Sequence, residues 1–324
     1  MGVSAEKILI VQIGSVGEVI LSTPLLKILR ENYPHSRLAY LTTEAGAEVI
    51  NNHPELDQSL VLEKERFKRL KEQRGRITAF KSVRPLIKEF KDEGFDLVID
   101  LNSTFVSALL TWLTSARHRI GFKEGLSAWL YTEGVTPNAE EHIVKQYLSL
   151  LEKIGLSGLN EEQLQFKVAT SEQEQGYIKR IFSKYSLQQE DDLVLFNLNS
   201  KEENAWPLDK FIELGCWLQE NTSSRILIVG SEDHKRQAEK ISNKVRGKVL
   251  NLTGELTAGH LSELVSRVDL VVSAVSEVLY LAQIFAVPTI AFFGSLDDHV
   301  YGPYEGNNVV INSSTDSIED ISVE

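Results

Sequence analysis

Two α/β domains in tandem, each built on a parallel sheet, are the fold class that the sequence predicts. Three observations lead to it. Apolar runs of strand length alternate with stretches of helical period from Lys7 to Phe293. The first run passes into a helix through a glycine turn, Gly14-Ser15-Val16-Gly17, the arrangement of a βα unit. The alternation breaks once, over Leu156 to Gln175, where the composition turns polar and acidic with Asn160, Glu161, Glu162, Glu172 and Glu174. That break divides the chain into an N-terminal domain over 1–165 and a C-terminal domain over 166–324, and 324 residues with 42% hydrophobic content can fill two cores.

In the opening stretch, Lys7 to Pro24, the residues Ile8 to Val11 and Ile13 read as a strand buried on both faces, followed by an amphipathic helix toward Arg30. Backbone N–H groups at such a helix start can meet an anion. A side chain placed there stands at the carboxyl edge of a parallel sheet, where open α/β folds bind ligands. That side chain is Glu18. The stretch also reads as a plain first βα unit, because the turn lacks the third glycine of the dinucleotide fingerprint and the Gly-Lys-Ser/Thr ending of a triphosphate loop.

Strands follow at Arg37 to Thr42 and Gln58 to Leu62, with a short helix over Ala45 to Asn51 between them. From Lys64 to Lys91 the chain carries 11 basic residues against three acidic ones, a segment of charge +8 in a protein of net charge −12. Its first half shows no apolar stripe and is expected as a mobile basic loop, whereas Phe80, Val83, Ile87 and Phe90 recur at helical spacing. Phe95 to Leu101 reads as a buried strand with Asp100 near its carboxyl end. Then come a helix over Phe105 to Thr114, a short strand Arg119 to Phe122, and a helix Ile143 to Ile154 stopped by Gly155.

The C-terminal half repeats the alternation. Strands are expected at Leu193 to Leu198, Arg225 to Val229, Val249 to Leu252, Leu270 to Ser273 and Thr289 to Phe293. Helices fall at Leu208 to Gln219, His234 to Val245, Ala258 to Val268 and Ser276 to Phe285. Two such domains imply a cleft between them.

Composition narrows the function. The longest apolar runs are far short of the ~20 residues of a membrane helix. A start without a hydrophobic signal core and a single cysteine, Cys216, point to a reducing, cytoplasmic setting. Cys216 sits in an apolar helical pattern and reads as a buried structural thiol. The acidic balance argues against nucleic acid as a partner. An acidic body with one basic segment suggests an anionic partner met at one place, or a solvated helix face. The seven histidines have no metal-ligand spacing, so no metal is expected, and no nucleophile elbow is present.

Taken together, KILIVQIGSVGEVILSTPLLKILRENYP, FDLVIDL, RIGF, NLNSKEENAWPLDKFIELG, NLTGELTAGHLSELVSRVDLVVS and VPTIAFFGSLDDHVYGPY resemble glycosyltransferase family 9, the heptosyltransferases of the lipopolysaccharide core, in order over most of the chain. The resemblance implies the GT-B architecture, with an acceptor domain first, a nucleotide-sugar domain second and the active site in a central cleft. It implies direct displacement with inversion, without a metal or bound cofactor, from a nucleotide-diphosphate sugar such as ADP-heptose. The family's opening turn reads close to G-x-x-G-D, its aspartate being the proposed general base; here that position is Glu18. The added methylene moves the carboxylate by over an ångström, and a helix-start acid favoured by the local dipole is the plainer reading.

Gly14, Ser15, Gly17, Asp100 and Arg119 are the acceptor-side candidates. On the donor side they are Asn199, Ser200, Lys201, Trp206, Thr253, Gly254, Ser276, Glu277, Tyr280 and Asp297. Here the chain departs from the family. The lysine usually two residues before Trp-Pro is Asn204, with Lys201 five residues upstream of Trp206. After the strand LVVS the family reads close to N-D-S-G-P-M-H, and this chain has Val275 for the aspartate, Glu277 for the glycine and Tyr280 for the histidine. Glu277 places a carboxylate at a helix N-terminus where pyrophosphate would sit. Like charges a few ångströms apart at an effective dielectric near 20 repel by roughly 4 kcal/mol, about a thousandfold in affinity.

Thr253, Gly254, Gly294, Asp297 and the Gly302-Pro303-Tyr304 turn nonetheless remain. Two functions follow: a transferase acting on an anionic glycan or glycolipid, peripheral to the inner membrane through segment 64–91, or a non-catalytic relative that binds or scaffolds an active transferase. In the family, that basic segment falls where acceptor-side loops meet phosphorylated lipid A.

Overall fold

Ile8 to Val11 are wholly buried, as a strand covered on both faces must be, and they form the centre of the first sheet. The computed structural model describes residues 3–157, 164–188, 190–198, 205–304 and 306–323. Asn199, Ser200, Lys201 and Asn204 lie outside the described residues. The chain divides into two units, Met1–Ala169 and Thr170–Glu324.

The first unit runs β1 (Lys7–Val11), α1 (Val16–Ser22), α2 (Pro24–Asn32), β2 (Arg37–Thr43), α3 (Glu44–Ile50), β3 (Gln58–Leu62), α4 (Lys64–Ser82), α5 (Arg84–Glu93), β4 (Leu97–Asp100), α6 (Phe105–Leu113), β5 (His118–Phe122), β6 (Glu133–Val135) and α7 (Ile143–Lys153). A 3₁₀ turn, Gly125–Leu130, precedes β6. All six strands are parallel, in the order β3-β2-β1-β4-β5-β6. Leu9, Val11, Leu41, Phe90, Val98 and Leu110 share one core cluster.

Two expectations are corrected. The single helix toward Arg30 is two, because Pro24 has no N–H to continue α1 and instead starts α2. The first half of the basic segment, expected as a loop, is helical as part of α4, which is interrupted at Gly75 (φ 80°, ψ 168°). Its lysines, arginines, glutamates and leucine have good intrinsic helix propensity, so a helix forms there without an apolar stripe. Gly94 then closes α5 in the left-handed conformation.

The second unit comprises α8 (Glu172–Lys184), β7 (Leu193–Asn197), α9 (Leu208–Asn221), β8 (Arg225–Val229), α10 (Lys235–Lys244), β9 (Val249–Asn251), α11 (Ala258–Val265), β10 (Leu270–Ala274), α12 (Glu277–Ile284), β11 (Thr289–Phe293), α13 (Asp298–Tyr301) and β12 (Asn308–Asn312). Helix α8 arises inside the stretch read as a polar break, started by a capping box between Ser171 and Glu174. The sheet is again parallel, in the order β12-β11-β10-β7-β8-β9, the arrangement of the first unit shifted by six strands. In each unit the order reverses between the first and fourth strands, β1 beside β4 and β7 beside β10. A doubly wound sheet opens its ligand crevice at the carboxyl ends of those two strands.

Candidate functional site

At the reversal in the first unit, Val11 pairs with Asp100, so the loops after β1 and β4 leave the sheet side by side. Gln12, wholly buried, donates to the Tyr147 hydroxyl (3.0 Å) and accepts from the Gly14 N–H (3.1 Å). The Ile13 N–H donates to Asn102 Oδ1, tying the two loops together. Helix α1 then starts with a capping box: Glu18 N–H donates to Ser15 Oγ (3.2 Å), and Glu18 Oε2 accepts from both Ser15 N–H (2.7 Å) and Ser15 Oγ (2.8 Å). The carboxylate thus folds back over the turn. A Cβ on Gly14 would lie 2.3 Å from Glu18 Oε2 and 2.8 Å from Asn102 Nδ2, so only glycine admits this arrangement. Gly17 is buried in the first turn of α1.

Asp100 is fully buried beneath this edge. It accepts from the N–H groups of Asn102 and Ser103 (both 3.0 Å), the Tyr131 hydroxyl (2.8 Å) and the Thr111 hydroxyl (3.5 Å). Burial pushes its carboxyl up to about 6, against the pull of those hydrogen bonds. Its work is to hold the 101–104 loop, where Ser103 takes a positive φ of 49° and its hydroxyl accepts from the Phe122 N–H (2.6 Å). Arg119 stands apart from the edge. It sits opposite Val98, and its guanidinium donates to the carbonyls of Ala116 (2.6 Å) and Leu130 (3.0 Å).

Beside Gly14 and Asn102 opens an apolar cavity of about 530 Å³ between α4 and α6, in the size range of ligand pockets. Lys64 lies at its margin, its ammonium donating to the Ile13 carbonyl (3.2 Å).

At the reversal in the second unit, Asn197 pairs with Ser273. Asn197 Nδ2 donates to Ser273 Oγ (3.0 Å) and Ser276 Oγ (2.8 Å), and the two hydroxyls are 2.9 Å apart. Ser276 is the N-cap residue of α12 and Glu277 its first residue, so this carboxylate does stand at the helix start.

The other donor-side candidates among the described residues hold the scaffold. Trp206 is buried against Phe211 and Phe292 (ring centroids 4.9 and 4.3 Å), and its indole N–H donates to the Ile321 carbonyl (3.0 Å). One edge of it lines a recess of about 160 Å³ with Asp233, His234 and Gln237. Thr253 closes a turn on Asn251 Oδ1, and Gly254, at φ +71°, donates to the Gly230 carbonyl (2.8 Å). Tyr280 is buried and donates to the Tyr301 carbonyl (2.8 Å). Asp297 caps α13 through the His299 N–H (2.8 Å). Cys216 is half-buried on α9, packed against the core rather than within it.

Gln12, Asn102, Tyr131, Tyr147, Asn197 and Ser273 were not singled out by the sequence reading. The signal was available: Gln12, Asn102, Asn197 and Ser273 are polar residues at the carboxyl ends of apolar runs, and in a parallel sheet those ends share one edge. Among the described residues, no group of three His, Cys, Asp or Glu side chains could hold a metal ion, and no helix is long and apolar enough to cross a membrane.

Two parallel units of this strand order in tandem, each gathering polar groups at its reversal, define the GT-B fold class. The profile of glycosyltransferase family 9 (heptosyltransferase) matches residues 83–322. The chain belongs to that family. It is similar to lipopolysaccharide heptosyltransferase 3 of Escherichia coli strain K12, 24% identical over 299 residues that cover 90% of this chain and 83% of the relative. Among solved structures, the family 9 glycosyl transferase of Veillonella parvula superposes with a TM-score of 0.85 at 22% identity, covering 97% of this chain and 87% of its own. The E. coli heptosyltransferase WaaC, solved with ADP-2-deoxy-2-fluoro heptose, superposes with a TM-score of 0.77 at 18% identity, covering 98% and 96%.

Proposed function

We propose that the protein is an inverting glycosyltransferase that moves a sugar from a nucleoside diphosphate donor, with ADP-heptose the first candidate, to a hydroxyl of an anionic glycan or glycolipid. The observation that carries this reading is the Glu18 carboxylate, held over Gly14 and Ser15 at the strand-order reversal of a family 9 chain. Ser15 fixes Oε2, and Oε1 takes the proton of the acceptor hydroxyl. The acceptor oxygen attacks the anomeric carbon from the face opposite the diphosphate, the anomeric C–O bond breaks, and the nucleoside diphosphate leaves with the electron pair. The start of α12, where Ser276 is held by Asn197 and Ser273, receives the diphosphate in this reading, with no metal step. The relatives named for heptosyl transfer support the donor class. Segment 64–91 draws the anionic acceptor, and with it the cytoplasmic face of the inner membrane.

A second reading, a non-catalytic binding or scaffold partner of an active transferase, is favoured by one observation: Glu277 begins the helix that would face the diphosphate. Calorimetric titration with ADP, UDP, GDP and ADP-heptose, on the wild type and on Glu277→Gly, separates the two. Binding by the wild type, with release of ADP in the presence of a lipopolysaccharide-core acceptor, is the expected result. Binding by the variant alone would establish a closed donor site and replace the transferase reading with the partner reading.

A further inference from the structure

The cavity between α4 and α6 plays no part in the displacement just described, yet it shares a wall with the proposed base. Gly14 lines the cavity, and the Glu18 carboxylate, held by Ser15, lies where a Cβ on that glycine would meet it. The interior is formed by Ile13, Leu62, Phe67, Val83, Leu110 and Leu113. Phe105 and Val106, 57% and 46% exposed, form an apolar rim, and Lys64 supplies the cation at its margin. The helix that begins at Lys64 opens the segment of charge +8. Apolar depth beside a cationic margin, next to a carboxylate awaiting a hydroxyl, is the complement of one kind of molecule.

We infer that this cavity holds a single aliphatic chain of the acceptor, so that the acceptor is an anionic amphiphile whose tail lies between α4 and α6 while its head group meets Lys64 and presents a hydroxyl to Glu18. The inference rests on the transferase reading and adds to its anionic acceptor a place for one aliphatic chain. Concavity selects a single chain over a flat lipid surface, because a surface is met by projecting side chains and not by a pocket of about 530 Å³. The charge beside it selects an anionic head over a neutral one.

The test is calorimetric titration of the full chain with n-alkyl phosphates of increasing length, each below its critical micelle concentration, and with alkyl maltosides of the same lengths. Burial of a methylene contributes a factor of about four in affinity. The dissociation constant should therefore fall about fourfold per added carbon and then level off once the cavity is full. Lys64→Gln should weaken the phosphates by roughly two- to fivefold and leave the maltosides unchanged. Leu113→Trp, which fills the cavity, should abolish the chain-length dependence; Val106→Glu, on the exposed rim, does the same if the tryptophan variant fails to fold.

Affinity independent of chain length, or affinity rising without a plateau as in partition onto a surface, would overturn the cavity assignment, even if a chain-free acceptor is glycosylated and the transferase reading stands. Chain-length-dependent binding in a protein that turns over no donor would instead remove the acceptor role while retaining a lipid-chain site.

Discussion

Glu18 caps α1, the proposed function gives it a second job as the base, and chemistry lets the two be separated. A glutamine at the third position of a capping box still accepts from the N-cap N–H, but it cannot take a proton. Glu18→Gln should therefore unfold with the wild-type protein in urea while its kcat falls by about two to four orders of magnitude. Glu18→Ala should lose the same activity and also about 1 kcal/mol of stability with the cap. Equal activity in Glu18→Gln and wild type would reduce this residue to a cap. Asp100 and His53 pose a second question at this scale. Burial raises the Asp100 carboxyl to about 6, so the folded state takes up its proton first and gains stability as pH falls from 6 toward the ordinary carboxylate value. Burial, and after it the nearby Lys167, lowers His53 to about 4, so the unfolded state protonates first and stability is lost as pH falls from about 6.5 toward 4. The two oppose each other over nearly the same window. Asp100→Asn should lose stability on acidification more steeply than the wild type, and His53→Gln less steeply, measured as urea midpoints between about pH 4 and about pH 6.5.

At the scale of elements, the proposed function makes the start of α12 the place where the donor diphosphate is received. The N-terminal dipole of a helix is filled by whatever anion reaches it first, and here Glu277 belongs to the helix itself. Glu277→Gly should raise affinity for ADP by up to about a thousandfold in titration, at a cost of about 1 kcal/mol or less to the helix. An unchanged affinity would mean that the diphosphate does not approach α12. Strands and helices with one apolar face were legible in the sequence because burial imposes a period, as in Leu193–Asn197 and Thr289–Phe293. Helix α4 was not legible as a helix, because charged residues of good propensity leave no stripe to read. Site residues divided in the same way. Glu18 and Glu277 were readable from their place after a strand, whereas the inward, scaffold-holding roles of Arg119, Trp206 and Tyr280 depend on carbonyls distant in sequence: Leu130, Ile321 and Tyr301.

For the whole molecule, charge is the dominant long-range term. Segment 64–91 carries +8 and the remaining residues −20, so an anionic acceptor is attracted to one region and repelled by the rest. Exposed charges lose their reach once the screening length drops below ~10 Å. The acceptor KM should rise severalfold between about 50 mM and about 300 mM NaCl, and replacing the exposed Lys81, Lys88 and Lys91 by glutamine should flatten that dependence. A KM indifferent to salt in the wild type would deny the segment a role in recruiting the acceptor.

The shared strand order has a consequence for birth on the ribosome. In each unit the first strand made is central, and one of its edges stays unpaired until the fourth strand arrives. In the second unit the wait, from Asn197 to Leu270, is 73 residues, about 4–15 s at ~5–20 residues per second. In the first it is 86 residues, from Val11 to Leu97, or about 4–17 s, and α4 and α5 are the last of the chain to emerge meanwhile. The nascent protein thus holds its open β1 edge longest while its most highly charged segment leaves the tunnel, and like charge on neighbouring nascent chains keeps those edges from pairing with one another.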